Sequence, residues 1–377
     1  MNRCFFFIAF GLASCGAPNQ DHSSTQRIAF AINDTTEAAF PIDTVGPNWE
    51  LVNGGERMVL ERVGDGVFLV PVFGGSWTLD SQATVGFWTD SLRSQSYRVD
   101  FKIGPNTDLK SEPHPVGTWG ARFGGEEEVT AQLVLEPSEN GPTGTMRTPT
   151  GDYRFLSGTF RSGFLHLQTY DGAHLYCFEA EYRNGGWVNG HFYSGNHYHT
   201  TWTASKTKPW DNDPQIIQLN VPSEQLHANI LDDYGNPFVL SLEPLTDQVV
   251  VVDILGSWCP NCMDEVRLLS ELRDSFPDNR LISIAFERDT VPASAQKRLA
   301  RFRSDMGLDW ELFWGGRASK TLAAEAFPFL DKVISFPTTL FIHPNGLVVV
   351  HSGFNGPATG DAFLAEKQAF LHHFSND

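Results

Sequence analysis

The chain has 377 residues, 41% hydrophobic and 12% aromatic, which is enough apolar material for full cores in two or three globular domains. Forty-five acidic residues against 27 basic ones give a formal charge of −18. That balance argues against a nucleic-acid or anionic-membrane surface.

The chain opens MNRCFFFIAFGLASC. Arg3 precedes an apolar run from Cys4 to Ala13, too short to span a bilayer, which takes roughly 20 residues. A basic start, a short apolar core and small residues at its end have the layout of a secretory signal over 1–14. Leu12-Ala13-Ser14-Cys15 resembles the lipobox of bacterial lipoproteins. The resemblance implies cleavage before Cys15 and lipidation of its sulfur. By resemblance to Gram-negative sorting rules, Gly16 in place of Asp then permits export to the outer membrane, facing the periplasm, rather than retention at the inner one. An ordinary cleaved signal is the alternative. Residues 15–27 are mostly polar and read as a flexible tether. The folded part is thus expected outside the cytoplasm, where disulfides persist. Of five cysteines, Cys4 leaves with the signal and Cys15 is spent on lipid. Cys177, Cys259 and Cys262 remain, and one thiol is left over if the close pair bridges.

Residues 28–205 read as an all-β sandwich or barrel. Met58 to Val63 and Val67 to Phe73 flank a Gly64-Asp65-Gly66 turn. Tyr97 to Ile103 and Phe164 to Tyr170 alternate cleanly, and Gly-Gly pairs punctuate the runs. The Pro-rich stretch from Gly104 to Gly117 divides this region into two sheets or two halves. Cys177, flanked by strand residues, reads as a buried apolar thiol. His197 and His199 would share a strand face and could hold a metal, but a half-exposed face explains them as well, and no metal is assigned.

Residues 206–222 read as a linker or a strand entry, and 223–377 as an α/β sheet. Val249 to Leu255 is a continuous β-branched run of the kind buried on both faces. Helices are expected over 262–276, 293–306, 317–330 and 361–374. Strands are expected over 281–286 and 310–314, and over 338–342 and 347–351 as a hairpin around Asn345-Gly346. The Gly-rich stretch His351 to Gly356 reads as a loop rather than a phosphate cradle.

Cys259 and Cys262 lie where the buried strand meets the next helix. The partial positive charge of a helix N-terminus stabilises a thiolate there. Cys262, one turn in, can reach the first sulfur, so one cysteine can attack a disulfide and the other resolve the mixed disulfide. Pro260 suits the first helical turn. A structural zinc site would need a second pair, and Met263 breaks the haem-attachment pattern. A peroxiredoxin site would need a proline and a Ser or Thr where Val252 and Gly256 stand.

From Ser223 on, the chain resembles the TlpA-type thioredoxin-fold thiol–disulfide oxidoreductases that include ResA. The resemblance rests on Val249 to Cys262, on the entry phrase Asn229 to Pro237, and on Ser335-Phe336-Pro337-Thr338. It implies that Cys259 attacks and Cys262 resolves, that Pro337 follows a cis bond, and that Phe336 and Thr338 lie beside the sulfurs. Trp258 would shield the site, and Trp258, Pro260, Phe336 and Thr338 would meet the substrate. Glu265 stands where the family carries a proton-moving glutamate, with an ordinary first-turn acid as the alternative. Asp253 stands where thioredoxins bury an aspartate, and a charge in that strand is expensive without a partner. Arg267 replaces the family's helix-bending proline, so a straighter helix is expected. Pro260-Asn261 departs from the thioredoxin Gly-Pro. The β-rich half resembles the amino-terminal regions of TlpA-type lipoproteins of the Bacteroidota kind, which transfers no activity.

The expectation is an extracytoplasmic, lipid-anchored reductase of disulfides in exported proteins. No NADPH or flavin motif is present and no cofactor is assigned, so a membrane donor of the DsbD or CcdA sort would have to recharge it. The alternative is a surface binding protein whose β domain carries the function, with the thioredoxin-like part as scaffold.

Overall fold

The computed structural model describes residues 26–90, 97–106, 110–206, 215–245 and 247–375. The expected signal, Cys15 and residues 207–214 of the linker lie outside the described residues. No helix among the described residues is long and apolar enough to cross a membrane.

Eight consecutive strands form a closed antiparallel barrel: Gln26–Ala31, Glu37–Val45, Asn48–Asn53, Glu56–Gly64, Val67–Leu69, Ser76–Leu79, Val85–Thr89 and Arg98–Pro105. Each pairs with the next, and the first pairs with the last at Ile28 and Ile103. In Glu37–Val45 the buried Ala38, Phe40 and Ile42 alternate with more open neighbours, as a one-sided strand requires. The strand expected to reach Phe73 stops at Leu69. Pro71 cannot donate to a ladder and Val72 has a φ of 63°, so the chain turns out of the barrel there.

A second antiparallel set follows: Gly117–Phe123, Ala131–Glu136, Thr143–Thr148, Gly151–Asp152, Leu156–Arg161, Phe164–Tyr170, Leu175–Arg183, Gly186–Ser194 and Tyr198–Ser205. Thr143–Thr148 pairs with Ala131–Glu136 as well as Leu156–Arg161, and Tyr198–Ser205 pairs back to Gly117–Phe123. These pairings join the sheet into a ring, with Gly151–Asp152 as a short appendage. Trp119, Phe178, Trp187 and Trp202 fill it. Tyr170, Leu175 and Cys177 point the other way and complete the first barrel's core, where Trp77 Nε1 donates to Tyr170 Oη at 3.0 Å. Closed sheets, not a sandwich, therefore make up the β-rich part.

The third sheet runs in the order Gln215–Asn220, Leu347–Ser352, Thr338–Ile342, Val250–Leu255, Arg280–Glu287, Glu311–Arg317, His227–Leu231, Pro237–Ser241. Its three central strands are parallel, and Thr338–Ile342 runs antiparallel beside Val250–Leu255. Among the described residues, four α-helices cover it: α1 (Pro260–Ser275), α2 (Pro292–Met306), α3 (Lys320–Glu325) and α4 (Asp361–Phe374). Val249, Val251 and Leu255 join one apolar cluster with residues of α1, α2 and α4. Val250, Val252 and Ile254 join another with residues of α3, so the strand is buried on both faces. The helix expected over 317–330 shrinks to Lys320–Glu325, because the preceding strand runs on through Arg317 and Pro328 breaks the continuation. Gln215–Asn220, within the expected linker, is an edge strand of this sheet.

The three sheets meet over α1 and α2. Arg154, in the second β unit, is 2% exposed at its side chain. Its guanidinium ion-pairs with the buried Asp264 of α1 and donates to both carboxylate oxygens of Glu56 in the first barrel, at 2.7 and 2.8 Å. Gly356 N donates to Asp152 Oδ2 at 2.9 Å, and Arg147 Nε to Asn355 Oδ1 at 2.8 Å. From α2, Arg298 and Arg301 reach the carbonyls of Phe73 and Val70, while Val72 N donates to Asp305. Removing one member of a buried pair strands the other charge, at a cost of about 3–5 kcal/mol. Arg154→Met should lower unfolding stability by that order in urea titration. Arg154→Met with Asp264→Leu should recover much of the loss, and no recovery would mean that the pair is not what the substitution broke.

Candidate active site

Cys259 is the N-cap of α1 and Pro260 its first residue, in keeping with a helix that starts on a residue lacking an N–H. Cys259 N donates to Gly256 O at 2.9 Å, which turns the chain sharply out of the strand. Cys259 is 8% exposed, while Cys262 is fully buried beneath it. The hydrogen bond from Cys262 holds the Cys259 thiol below its ordinary range, and the N–H groups of Cys262 and Asn261 act in the same direction. Burial pushes the Cys262 thiol well up. The two sulfurs are thus differentiated, with thiolate character favoured on the one nearer the surface.

The peptide bond between Phe336 and Pro337 is cis, and Cys259 Sγ lies 3.5 Å from Phe336 O. Pro337 and Thr338 are buried; Thr338 Oγ1 donates to Ser335 O and Ser335 Oγ to Pro337 O, which fixes the loop. Trp258 is half-buried. Its Nε1 donates to Phe286 O at 2.9 Å, its ring meets Phe336 edge-on, and Arg288 lies over it. Pro260 is half-buried beside Asn261.

Asp253 and Glu265 come together below the dithiol. Asp253 Oδ2 accepts from Ser283 Oγ at 3.0 Å, and Glu265 Oε1 accepts from Thr339 Oγ1. Asp253 Oδ1 and Glu265 Oε2 are both buried without a hydrogen-bond partner among the described residues, so each carboxyl is costly to ionise beside the other. Burial raises the Asp253 pKa to about 7. Burial, and then the charge of Asp253, raise that of Glu265 well above the carboxylate range. The negative charge of Asp253 in turn disfavours either thiolate.

Sequence reasoning missed the row in which this pair sits. Ser283, Asp253, Thr339 and His351 stand side by side on four neighbouring strands. Trp310 Nε1 donates to Ser283 Oγ at 2.9 Å at one end. At the other, His351 Nε2 lies 2.7 Å from Glu366 Oε1, whose partner oxygen accepts from Asn355. Also missed was Glu287, buried at the end of its strand, which accepts from Ser257 N and Oγ and pairs with Arg298. It holds the turn that leads into the dithiol.

α1 runs unbroken for 16 residues, with Arg267 exposed and bonded to Asp264 at 2.9 Å. The β units roof the site. A Cβ on Gly151 would collide with the Asn261 side chain, and one on Gly353 would lie 2.9 Å from Thr150. Val72, Phe73 and Ala173 join the apolar cluster that holds both cysteines. His197 is in a turn against Tyr97, so it does not share a face with His199. His199 instead stands 2.9 Å from His191. Cys177 is buried, yet its Sγ lies 3.8 Å from His166 Nδ1, so its surroundings are not purely apolar.

No family profile matches the chain, and no curated protein matches it. Among solved structures it is similar to a thiol–disulfide oxidoreductase from Bacteroides fragilis, at 15% identity over 41% of this chain and 100% of that one, TM-score 0.28. It is also similar to a secreted disulfide oxidoreductase of Mycobacterium tuberculosis, at 19% identity over 40% of this chain and 100% of that one, TM-score 0.28. A DsbE-like thiol:disulfide interchange protein from Chlorobium tepidum matches at 20% identity over 40% and 94% of the two chains, TM-score 0.29.

A carboxyl whose pKa is raised on folding binds its proton more tightly in the folded state than in the unfolded one. Its folded form is therefore undisturbed below pH about 4, and stability falls as pH rises to about 7, where Asp253 titrates. The fall is up to about 1.4 kcal/mol per pH unit for one group. Asp253→Asn should flatten that slope in urea titrations run from pH 4 to 8. Equal slopes in the two proteins would mean that Asp253 ionises freely in the folded state.

Proposed function

We propose that the chain is a thiol–disulfide oxidoreductase that works through Cys259 and Cys262. The observation that carries this reading is the division of labour between the sulfurs. One is near the surface at a helix N-terminus with a lowered pKa, and the other is buried with a raised pKa above a carboxyl pair.

In the reducing direction, the Cys259 thiolate attacks one sulfur of a client disulfide. The client S–S bond breaks, and one client sulfur leaves as a thiolate and takes a proton. The other is joined to Cys259. Cys262 then gives its proton to the Asp253–Glu265 pair and attacks Cys259 Sγ. The second client thiolate departs, and Cys259–Cys262 becomes a disulfide. Two electrons have passed to the client. A base near pKa 7 suits this step, since it is part ionised at neutral pH yet still basic enough to take a proton. The Phe336–Pro337 segment, whose Phe336 carbonyl lies beside Cys259, would pair with an extended client backbone. Phe336, Thr338, Trp258 and Pro260 would frame it.

The finer reading is a reductase of exported proteins, of the TlpA type, held to a bacterial outer membrane by lipid on Cys15 and facing the periplasm. It would be recharged by a membrane donor of the DsbD or CcdA sort. What supports it is the layout of residues 1–15 and the absence of any nicotinamide or flavin motif in the sequence.

With Cys262→Ser, mixed disulfides through Cys259 should accumulate and be seen on non-reducing gels, and with Cys259→Ser none should form. Absence of trapping in both would remove the redox reading. The potential of the pair, read by thiol labelling across redox buffers, decides direction. A value near or below about −270 mV marks a reductase, and one near about −120 mV an oxidant.

A further inference from the structure

Away from the dithiol, a second set of chemically capable side chains lies on the outer face of the second β unit. Strands Phe164–Tyr170 and Leu175–Arg183 pair His166 with Glu179 and Gln168 with Cys177. Leu165, Leu167, Phe178 and Ala180 on these strands fill the second core. His166, Gln168, Cys177 and Glu179 therefore project from the opposite face, toward the first barrel.

His166 Nδ1 lies 3.2 Å from Glu179 Oε1 and 3.8 Å from Cys177 Sγ. One donor atom of each residue lies within 4.8 Å of the other two. Around a tetrahedral ion with ligands at about 2.0–2.3 Å, nitrogen and oxygen donors stand about 3.3 Å apart, and nitrogen and sulfur about 3.6 Å. The distances from His166 to Glu179 and to Cys177 are close to that spacing already.

The histidine is also oriented. His166 Nε2 lies 3.1 Å from Gln168 Oε1. The Gln168 amide is fixed in turn by the first barrel, since its Oε1 accepts from Ala39 N at 2.8 Å and its Nε2 donates to Ala39 O. Gln168 Oε1 can only accept, so His166 Nε2 carries the hydrogen. At 3.2 Å from Glu179 Oε1, Nδ1 also carries a hydrogen in the metal-free chain, and a binding ion would displace that proton and take the Nδ1 lone pair, which points toward the thiol and the carboxylate. Metal-binding histidines are held in this way by an outer acceptor.

We propose that His166, Cys177 and Glu179 form a three-donor site for a divalent ion of the zinc class, with Gln168 as the positioning residue. Imidazole, thiolate and carboxylate together suit such a borderline ion better than magnesium or calcium. Cys177 is fully buried, while the side chains of His166 and Glu179 are 22% and 17% exposed, so the fourth position opens to solvent on their side. Because Gln168 is tied to Ala39, the site lies at the seam of the two β units. An ion bound only by the folded chain would stabilise that seam.

The test is cobalt(II) titration of the reduced full chain, compared with Cys177→Ala, Glu179→Gln and Gln168→Ala, each with the other cysteines intact. The chain should take up one cobalt with a thiolate-to-metal charge-transfer band that Cys177→Ala abolishes. Glu179→Gln keeps the shape of a partly exposed side chain, so it should fold, and it should weaken this uptake tenfold or more. Gln168→Ala should weaken it by about 10–100-fold, the usual cost of losing an outer partner. Identical uptake and spectra in the natural chain and in Glu179→Gln would overturn the proposal and leave a protonated His166 paired with Glu179 beside an inert thiol.

Discussion

A guanidinium with 2% of its side chain exposed stands between the first barrel and helix α1, and the three sheets are joined through it. Taking Arg154 out of water costs several kcal/mol unless carboxylates meet it on more than one side. Asp264 does so from helix α1 and Glu56 from the first barrel. Arg154 itself sits at a φ of 63°, a backbone state that a non-glycine residue holds only when its surroundings fix it. Asp264 is two residues after Cys262, so the same contact that seats the second β unit also seats the first turns of the helix that carries the dithiol. Position of the sulfurs and packing of the sheets are one constraint.

Below the sulfurs, the sheet gives up one apolar position on each of four neighbouring strands. Ser283, Asp253, Thr339 and His351 occupy one level, with Glu265 and Glu366 supplied by helices. Burial is the largest influence on the protonation of the Asp253–Glu265 pair, the charge of one on the other comes next for Glu265, and no cation is among the causes. Such a pair behaves as one titrating unit rather than two acids. It sets a local field that disfavours negative charge, and the helix N-terminus opposes that field at Cys259 alone. The contrast between the two thiols follows from where each stands between these influences.

Much of the α/β part was legible because its signals are local. The β-branched run predicts a doubly buried strand, Asn345-Gly346 a hairpin, and Cys259-Pro260 a helix start. The expected bounds 338–342 and 361–374 coincide with the observed elements. Asp253 stood out because a charge interrupts a run of valines. Ser283, Thr339 and His351 did not, since each is an ordinary strand residue until strand register puts it beside Asp253. Nothing in the sequence marked Arg154, because its partner lies 110 residues further along the chain. Cys177 was legible as buried but not as a neighbour of His166, eleven residues earlier on the adjoining strand. The helix expected over 317–330 is shorter because the preceding strand runs on through Arg317 and Pro328 stops the continuation.

The roof over Asn261 has a kinetic meaning in the proposed reading. If that roof must open, a bulky client would reach Cys259 only in the fraction of molecules whose β units had lifted from α1. Its observed exchange rate is the intrinsic rate multiplied by that fraction. Each 1.4 kcal/mol or so of seam energy divides the rate by about ten. A small thiol oxidant that slips beneath the roof escapes this toll. The seam thereby sorts partners by size, and substitutions that loosen it would trade selectivity for speed.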